Sequence, residues 1–497
     1  TMSNTDLVAL LPLIVVAVMG AVVMLAGAYG ARRVILHWLT ILGIGIALAS
    51  IVSVRPLAPR DVTPLLRVDS YSILFMTLLF SGTGILAIIS HPYLRARRCA
   101  GEAYYSLLLF ATFGMGVLVC STHFASLFLG LETLTVSLYG LLAYLRTERQ
   151  SLEAAIKYLI LAAMASGLLL FGIALLYAAT GSLVLADVAA LSADAFTTAG
   201  SPEAIWAAVG VLMLIAGFAF KLALVPFHMW SPDVYQGAPA PVTALIATGS
   251  KGAVVAALLR LLSGVPADDA LLPSVLGVLA VVTMFGGNLL ALLQTDMKRM
   301  LAYSSIAHIG YLFVAMAAGG VVGTEAVVFY LIIYVAMTLG TFGVVAVFSA
   351  NANSDIDDIN AYRGLGRRHP GLAMVLSVMM LSLAGIPPTG GFLAKFAVLS
   401  AAIAAGRTDL AIAMVLASAI AIFYYLRVLV VIYMDPKVTS DASRRKTNLV
   451  SETSPIHTRL GSSVALTALM LMILAIGIFP EPWLETVGAA VSSMIGS

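Results

Sequence analysis

Long runs of apolar residues, most of them about 20 residues in length, recur along this chain and are separated by short polar links. A run of about 20 apolar residues is what an α-helix needs to cross the hydrocarbon core of a bilayer. Hydrophobic residues make up 61% of the 497 residues, charged residues only 10%, and the mean hydropathy is +1.04. These values lie outside the range of a soluble domain, so the sequence predicts an all-α polytopic membrane protein.

About fourteen transmembrane helices are predicted, and two of them are interrupted. Pro226 breaks the seventh span, and LAGIPPTGGF at 383–392 breaks the twelfth, whose apolar run is too long for one straight crossing. The predicted spans are 7–27, 33–53, 70–90, 103–121, 123–145, 153–179, 204–225, 240–263, 271–293, 299–318, 325–349, 371–405, 408–433 and 461–480.

The distribution of basic residues predicts the orientation. The first span, 7–27, lacks a basic flank before it, so we expect a retained helix rather than a signal peptide. With the amino terminus outside, the inner links hold 17 Lys and Arg residues and the outer links hold 5, Arg260 among them. Because basic links stay on the cytoplasmic side, we predict that both termini lie on the outer, periplasmic side of a bacterial inner membrane.

The predicted helices group into four segments. Residues 1–102 form a three-helix segment, 103–263 and 271–433 form blocks of five spans each, and 434–497 hold an inner loop and the fourteenth span. Each block has a broken fourth helix that carries a lysine. Because five is odd, the two blocks have opposite orientations, as in the inverted repeats of many transporters.

Four lysines and one arginine fall inside predicted spans: Lys157, Lys221, Lys251, Lys395 and Arg427. A lysine near the bilayer midplane costs about 2.5 to 3.5 kcal/mol on insertion scales. Burial also lowers the pKa of a lysine toward neutrality, so that it can exchange protons. Arginine stays charged, and Arg427 therefore suits a structural or field-setting role. The alternative for each lysine is that it reaches the membrane interface along its own stem.

One carboxylate and one histidine also lie deep in spans. Glu132 needs a partner or a proton in an apolar setting, and Lys221 is its natural partner; the alternative is a static buried ion pair. His308 titrates near neutrality and can pass protons, although a hydrogen-bonded structural histidine is the alternative. Lys157 is the weaker candidate, since it follows Glu153 by four residues and can form a helix-surface pair.

Several patterns are absent from the sequence. It has no Walker-type phosphate loop, no CxxC pair and no two mid-membrane histidines placed for haem, and Cys99 and Cys120 have no metal-ligand spacing. A net charge of +3 gives no reason to expect nucleic acid as a partner. We therefore expect no cofactor and no metal in this chain, and we expect membrane lipids as neighbours.

Five segments resemble one known family: ASLFLGLE (125–132), SLEAAIKY (151–158), FKLALVPFHMWSPDVYQGAPAPVT (220–243), KRMLAYSSIAHIGY (298–311) and LSLAGIPPTGGFLAKF (381–396). They are similar to the antiporter-like membrane subunits of proton-pumping NADH:quinone oxidoreductase, respiratory complex I. The DVYQGAPAP run favours the subunit N branch of that family.

The resemblance implies fourteen helices with two inverted five-helix repeats. It also implies a translocase subunit that carries protons while electrons move elsewhere. Glu132 and Lys221 match the family's glutamate and lysine pair, Lys251 its connecting lysine, Lys395 its terminal lysine, and His308 a histidine of its central axis. NADH, FMN, iron-sulfur clusters and quinone are expected in partner subunits, which include a second antiporter-like subunit.

Two other functions remain open from the sequence. A multisubunit sodium/proton antiporter uses the same lysine and glutamate pattern. A membrane-embedded assembly scaffold without transport is the third interpretation.

Overall fold

A computed structural model describes residues 3–97, 99, 101–190, 202–265, 271–350, 354–435 and 460–495. Its helices, in chain order, are α1 (Asn4–Ala9), α2 (Leu11–Ala28), α3 (Arg33–Val54), α4 (Ser70–Ala96), α5 (Glu102–Cys120), α6 (Phe124–Leu142), α7 (Arg149–Thr180), α8 (Pro202–Leu222), α9 (Trp230–Gly237), α10 (Ala240–Leu262), α11 (Leu271–Leu292), α12 (Met297–Ala318), α13 (Gly320–Ser349), α14 (Leu365–Arg368), α15 (Pro370–Ala384), α16 (Gly390–Ala404), α17 (Thr408–Tyr433), α18 (Leu460–Ile478) and α19 (Glu481–Ile495). A two-stranded antiparallel hairpin, β1 (Arg60–Thr63) and β2 (Leu66–Val68), precedes α4.

The predicted all-α polytopic fold is confirmed. In the described part of the chain, 13 helices are long and apolar enough to cross a membrane. The two shorter apolar helices α15 and α16 flank the predicted break and together supply the remaining crossing. The sequence did not predict the hairpin, the short helix α9 or the amphipathic helix α19 beyond the last span.

Three helices form the centre of the bundle. The most apolar windows of α10, α12 and α13 are completely buried by protein, whereas α2 buries only 33% of its window. Peripheral helices instead present isolated apolar side chains outward, as lipid-facing helices do. Polar residues on the three central helices are therefore shielded from lipid on every side.

The first two helices of each five-span block cross in the same way. A Cβ added at Gly114 of α5 would lie 2.7 Å from the backbone of Leu134 on α6. A Cβ at Gly287 of α11 would lie 2.7 Å from the backbone of Ala307 on α12. Glycine at each crossing lets the two backbones touch, which is how helices pack tightly in membranes.

Both predicted breaks are present, and each exposes backbone groups near a lysine. Helix α8 ends at Leu222, one residue after Lys221, and Ala223 adopts a left-handed φ of 58°. The indole N–H of Trp230 then donates a 2.9 Å hydrogen bond to the Phe220 carbonyl and closes the turn. In the second block, Gly385 (φ +81°) ends α15 and leaves a carbonyl free at Ala384.

Links from different parts of the chain meet in one group of ion pairs, which we call the basic-face cluster: Arg97, Glu148, Lys298, Asp355 and Asp357. Arg97 lies 2.7 Å from both Glu148 and Asp355, and Lys298 lies 2.9 Å from Asp355. Burial alone would raise the pKa of Asp355, but Lys298 and Arg97 hold it below its ordinary value. The cluster brings together four links that the positive-inside rule assigns to one side.

Other predicted inner-link cations lie outside the described residues. These are Arg98 and the basic residues of the predicted inner loop, Lys437, Arg444, Arg445, Lys446 and Arg459.

The sequence predicted an outer link for Arg260, but the structure places this residue inside α10. Its guanidinium makes two hydrogen bonds, of 2.9 and 3.0 Å, to the carboxylate of Asp69, and both side chains are buried. Asp69 also caps α4 by accepting a 2.8 Å hydrogen bond from the Ser72 amide. Burial raises the pKa of Asp69, but Arg260 and Ser72 more than offset this and leave that pKa lowered.

We expect Arg260→Met to destabilise the protein by about 3 to 5 kcal/mol, because it leaves the buried Asp69 carboxylate with only the more distant Arg67, 3.9 Å away, as a counter-charge. Thermal unfolding of the detergent-solubilised protein measures this loss. The double variant Arg260→Met/Asp69→Asn removes both charges, keeps a side chain able to cap α4, and should recover most of the stability. A double variant no more stable than Arg260→Met would contradict the ion-pair explanation.

The same pair predicts an acid dependence. Because the pKa of Asp69 is lowered in the folded state, its contribution is present at neutral pH and is lost as the pH falls through that lowered value. The double variant should lose less stability than the parent protein over that acidic range.

Candidate functional site

Lys251 lies at the centre of the bundle and is buried there. Only 1% of the residue is exposed, and its ammonium donates a 2.6 Å hydrogen bond to Ser305 Oγ on α12. Ser305 lies 2.7 Å from the Tyr334 hydroxyl on α13, which in turn donates to the Ala247 carbonyl at 3.0 Å. The stem of Lys251 therefore does not reach an interface, and the alternative that it snorkels is excluded for this lysine.

His308 lies three residues beyond Ser305 on the same face of α12. Its Nδ1 is 2.6 Å from the Tyr330 hydroxyl, and its Nε2 is 3.1 Å from the Tyr425 hydroxyl. Tyr425 is also hydrogen-bonded to Ser304. Both ring nitrogens thus face a hydroxyl that can donate or accept, which is the arrangement that a proton relay requires.

Lys395 occupies the second break. Its ammonium donates 2.9 Å to the free Ala384 carbonyl and 2.8 Å to Ser418 Oγ, and it lies 5.3 Å from the centroid of the Tyr311 ring. A Cβ at Gly385 would come within 2.7 Å of the lysine stem. Glycine at this position therefore serves both the left-handed turn and the space for Lys395.

Lys221 and Glu132 are close in the fold but are not bonded to each other, contrary to the pairing expected from the sequence. Lys221 is 6% exposed and donates a 2.8 Å hydrogen bond to Thr135, one turn beyond Glu132 on α6. Glu132 instead accepts a 2.5 Å hydrogen bond from Ser166 on α7, and it is only half-buried. Each charge thus has a neutral hydroxyl partner, which leaves the pair free to approach or separate.

Lys157 differs from the other lysines. Its ammonium lies 2.8 Å from both Glu153 and Asp233, and 42% of its side chain is exposed. Arg299 also pairs with Asp233, at 2.7 Å. Burial raises the pKa of Asp233, but hydrogen bonds from Lys157 and Arg299 outweigh it and lower that pKa. The helix-surface pair with Glu153 that the spacing predicted is therefore present.

Arg427 is a cap rather than a relay. It donates hydrogen bonds to the Leu292 and Gln294 carbonyls at the end of α11, which agrees with the predicted structural role.

The sequence did not single out the tyrosines and most of the hydroxyls that connect the predicted residues. The connecting side chains are Thr135, Ser166, Tyr235, Tyr311, Tyr330, Tyr334, Ser418 and Tyr425. Their signal was present in α13, where Tyr330 and Tyr334 are spaced by one helical turn within an apolar run. Tyrosine is also common in membrane spans for packing alone, so the spacing does not identify a site by itself.

The chemistry that this arrangement supports is proton transfer. Two hydrogen-bonded groups adjoin at the sequence neighbours Ser304 and Ser305, one leading to Lys251 and the other to His308. Hydrogen bonds through Ser418, Tyr311, Asn288, Tyr424 and Tyr425 connect Lys395 to His308. Among the described residues, no hydrogen bond connects Lys221 to these groups, so passage from Lys221 needs motion or water. The described residues also contain no cluster of three or more His, Cys, Asp or Glu that could hold a metal ion.

Comparison with known proteins assigns the family. Residues 121–421 match the family model described as NADH:quinone oxidoreductase/Mrp antiporter, TM. A protein named NADH-quinone oxidoreductase subunit N from Chromohalobacter salexigens is 45% identical over 484 residues, covering 97% of this chain and 98% of its own length.

Two solved structures share the fold. A chain of respiratory complex I from Thermus thermophilus with bound aureothin is 33% identical, with a TM-score of 0.80 and coverage of 96% of this chain and 99% of that one. A chain of the Mrp complex from Dietzia sp. is 22% identical, with a TM-score of 0.84 and coverage of 99% and 98%, which shows the shared fold alone. The chain therefore belongs to the subunit N family of NADH:quinone oxidoreductase, the antiporter-like membrane subunits of respiratory complex I.

Proposed function

We propose that this chain translocates protons along Glu132, Lys221, Lys251, His308 and Lys395, driven by NADH:quinone electron transfer in other subunits. The single observation that carries the proposal is the hydrogen-bonded chain from Lys251 through Ser305 to Tyr334, next to Ser304, Tyr425 and His308. Three buried lysines without carboxylate partners within ion-pair distance have no evident structural purpose. Lys157, which is half-exposed and paired, is the weaker member.

In this proposal the two five-helix blocks are two halves of one path. Lys221 lies one residue before the helix end at the first break, and Lys395 lies in the second turn of the helix after the second break, where it bonds the free Ala384 carbonyl. Lys251 and His308 lie between the breaks in sequence; Lys251 bonds to Ser305 on α12, and His308 bonds to Tyr330 on α13. They are placed to connect the halves.

The assembly follows from the family. The chain acts as a subunit of the H⁺-translocating NADH:quinone oxidoreductase, in a bacterial inner membrane with both termini on the periplasmic side. Its partners are other membrane-arm subunits, among them a second antiporter-like subunit, and membrane lipids. NADH, FMN, iron-sulfur clusters and quinone belong to partner subunits, and this chain supplies proton carriers without a redox centre of its own.

A subunit of a multisubunit sodium/proton antiporter is the second candidate, favoured by the fold shared with the Mrp chain. Electron microscopy of the natively purified assembly separates the two. A particle that contains NADH-oxidising and quinone-reducing subunits supports complex I, whereas co-purification with antiporter subunits alone would overturn that assignment.

We expect Lys221→Ala to lower NADH-driven proton pumping about tenfold or more in vesicles, with normal assembly of the complex, because the variant removes a proton carrier. Lys221→Arg should also be defective, since arginine keeps the charge but does not release its proton. Lys157→Ala is the matched control on an exposed lysine and should have a smaller effect.

The measurement is the initial pumping rate, normalised to the amount of assembled complex. If Lys221→Ala and Lys221→Arg both assembled and pumped at the parent rate, Lys221 would not lie on an obligatory path. A defect in Lys221→Ala with normal pumping in Lys221→Arg would reduce the role of Lys221 to that of a fixed charge.

For Glu132→Gln we expect a smaller loss of pumping and a shifted pH optimum. The amide oxygen can still accept the Ser166 hydrogen bond, so the change removes the charge near Lys221 while keeping the local structure. The pH profile of pumping between mildly acidic and mildly alkaline conditions measures the effect. A profile that superimposes on that of the parent would argue against tuning of Lys221 by this carboxylate.

A further inference from the structure

A second row of polar side chains leads from Lys251 toward the basic-face cluster. On α12, Lys298, Leu301 and Ser305 are spaced by three and four residues and share one face. On the antiparallel neighbour α13, Tyr334, Thr338 and Thr341 have the matching spacing. The hydrogen bond between Ser305 and Tyr334 fixes how the two rows face each other. About 10 Å of helix separates Ser305 from Lys298, at 1.5 Å per residue.

A small enclosed cavity lies between these rows. Its volume is about 10 Å³, and its lining includes Leu301, Ser305, Tyr334, Thr338, Thr341 and Phe342. This volume is at the lower limit for one water molecule. Most of these residues carry hydroxyl groups, yet the open surface of the cavity is formed by carbon atoms alone. The surface of the cavity is therefore apolar, although most of its lining residues carry hydroxyl groups that could bind water.

Thr338 is the residue that could make the cavity surface polar. It is 5% exposed, and its Oγ1 has only a weak contact with the Tyr334 hydroxyl. Thr341, by contrast, donates its hydroxyl to the Met337 carbonyl at 2.8 Å. A rotation of Thr338 about χ1 exchanges its methyl group and its hydroxyl, which costs little between staggered positions. A buried hydroxyl that is so weakly bonded favours a nearby water.

The other end of the row reaches the surface at Asp357. Asp355 is buried and held by four donors, the side chains of Lys298, Arg97 and Tyr93 and the Ala240 amide, so it is a fixed anchor. Asp357 has a single cation partner, Lys298 at 3.3 Å, and 22% of its side chain is exposed. Its side chain is more open to exchange with solvent than that of Asp355, the other carboxylate that pairs with Lys298, which is 7% exposed.

The charges around Asp357 suit proton uptake. Burial raises the pKa of Asp357 to about 7; Lys298 opposes this rise, and Asp296 and Asp355 add to it. A carboxyl group with such a value binds and releases protons at neutral pH.

We propose that protons enter the axis from the basic face along the groove between α12 and α13. They pass from Asp357 and Lys298 to a water that Thr338 admits and then through Ser305 to Lys251. Leu301 and Phe342 form the dry gate between the cluster and that water. The proposal rests on the proposed function of the chain and adds an entrance to it. Each transfer moves one proton between oxygen or nitrogen atoms, and no bond to carbon changes.

The test uses the assembled complex in vesicles and the initial rate of NADH-driven proton pumping. Thr338→Val keeps the shape of the side chain and removes the hydroxyl, and it should lower pumping about tenfold. Thr338→Ser restores the hydroxyl and should recover most of the rate. Thr324→Val makes the same change elsewhere on α13. The Thr324 hydroxyl donates to the Gly320 carbonyl one turn earlier in the same helix, so this variant should pump normally.

The entrance is tested in parallel. Asp357→Asn should lower pumping by a similar factor. Asp358→Asn is the matched control one residue away, because Asp358 is exposed and an asparagine can also accept its 2.8 Å hydrogen bond from the Asn360 amide.

A high-resolution map of the parent complex during turnover should contain a water within hydrogen-bonding distance of Thr338, and this water should be missing in Thr338→Val.

Normal pumping by Thr338→Val and Asp357→Asn would overturn the proposal, and so would a Thr338→Ser variant as defective as Thr338→Val. Lys251→Ala, measured in the same vesicles, separates the two levels of the argument. If Lys251→Ala fails to pump while the entrance variants pump normally, only the entrance is wrong. If Lys251→Ala also pumps normally, the proposed function itself is wrong.

Discussion

The constraint on which this structure depends is the cost of burying a lysine ammonium inside the bundle, away from bulk solvent and lipid headgroups. Lys221, Lys251 and Lys395 lie in the bundle, and each is stabilised by a hydroxyl group rather than by a carboxylate. A carboxylate would stabilise the charged amine strongly and hold the proton in place. A hydroxyl satisfies the geometry of either the charged or the neutral amine, so the proton can leave. The fold therefore supports the lysines without fixing their protonation.

The rest of the architecture supplies those hydroxyls. Two broken helices end close to lysines, and at the second break a free carbonyl accepts directly from Lys395. The close crossings of α5 with α6 and of α11 with α12 depend on glycine and anchor each block. Shielding by the peripheral helices leaves the apolar windows of α10, α12 and α13 buried on all sides, where serine, tyrosine and histidine side chains find their partners within the protein.

Permanent charges are kept apart from this polar centre. Asp69 and Arg260 pair at one end of α4 and α10, Arg427 caps α11, and Asp355 binds Arg97 and Lys298 at the basic face. Each of these groups has a partner of opposite charge or a backbone carbonyl, and each closes a link or a helix end. The separation explains why Arg260, which looks from its sequence position like a link residue, is part of the buried framework.

The sequence by itself determined the class of fold, the number of spans, both breaks and the lysines. The free-energy cost of placing a residue in an apolar span depends mainly on that residue, so it can be read from the sequence. The segment FKLALVPFHMW, for example, specifies a helix end next to Lys221 without any tertiary information. Only the tertiary structure decided the partners. Lys221 bonds to Thr135 and not to Glu132, and Tyr425 reaches His308 from a helix more than one hundred residues away in sequence. A hydroxyl side chain in a membrane span costs little free energy wherever it lies. The sequence therefore does not distinguish the hydroxyls that the bundle brings together.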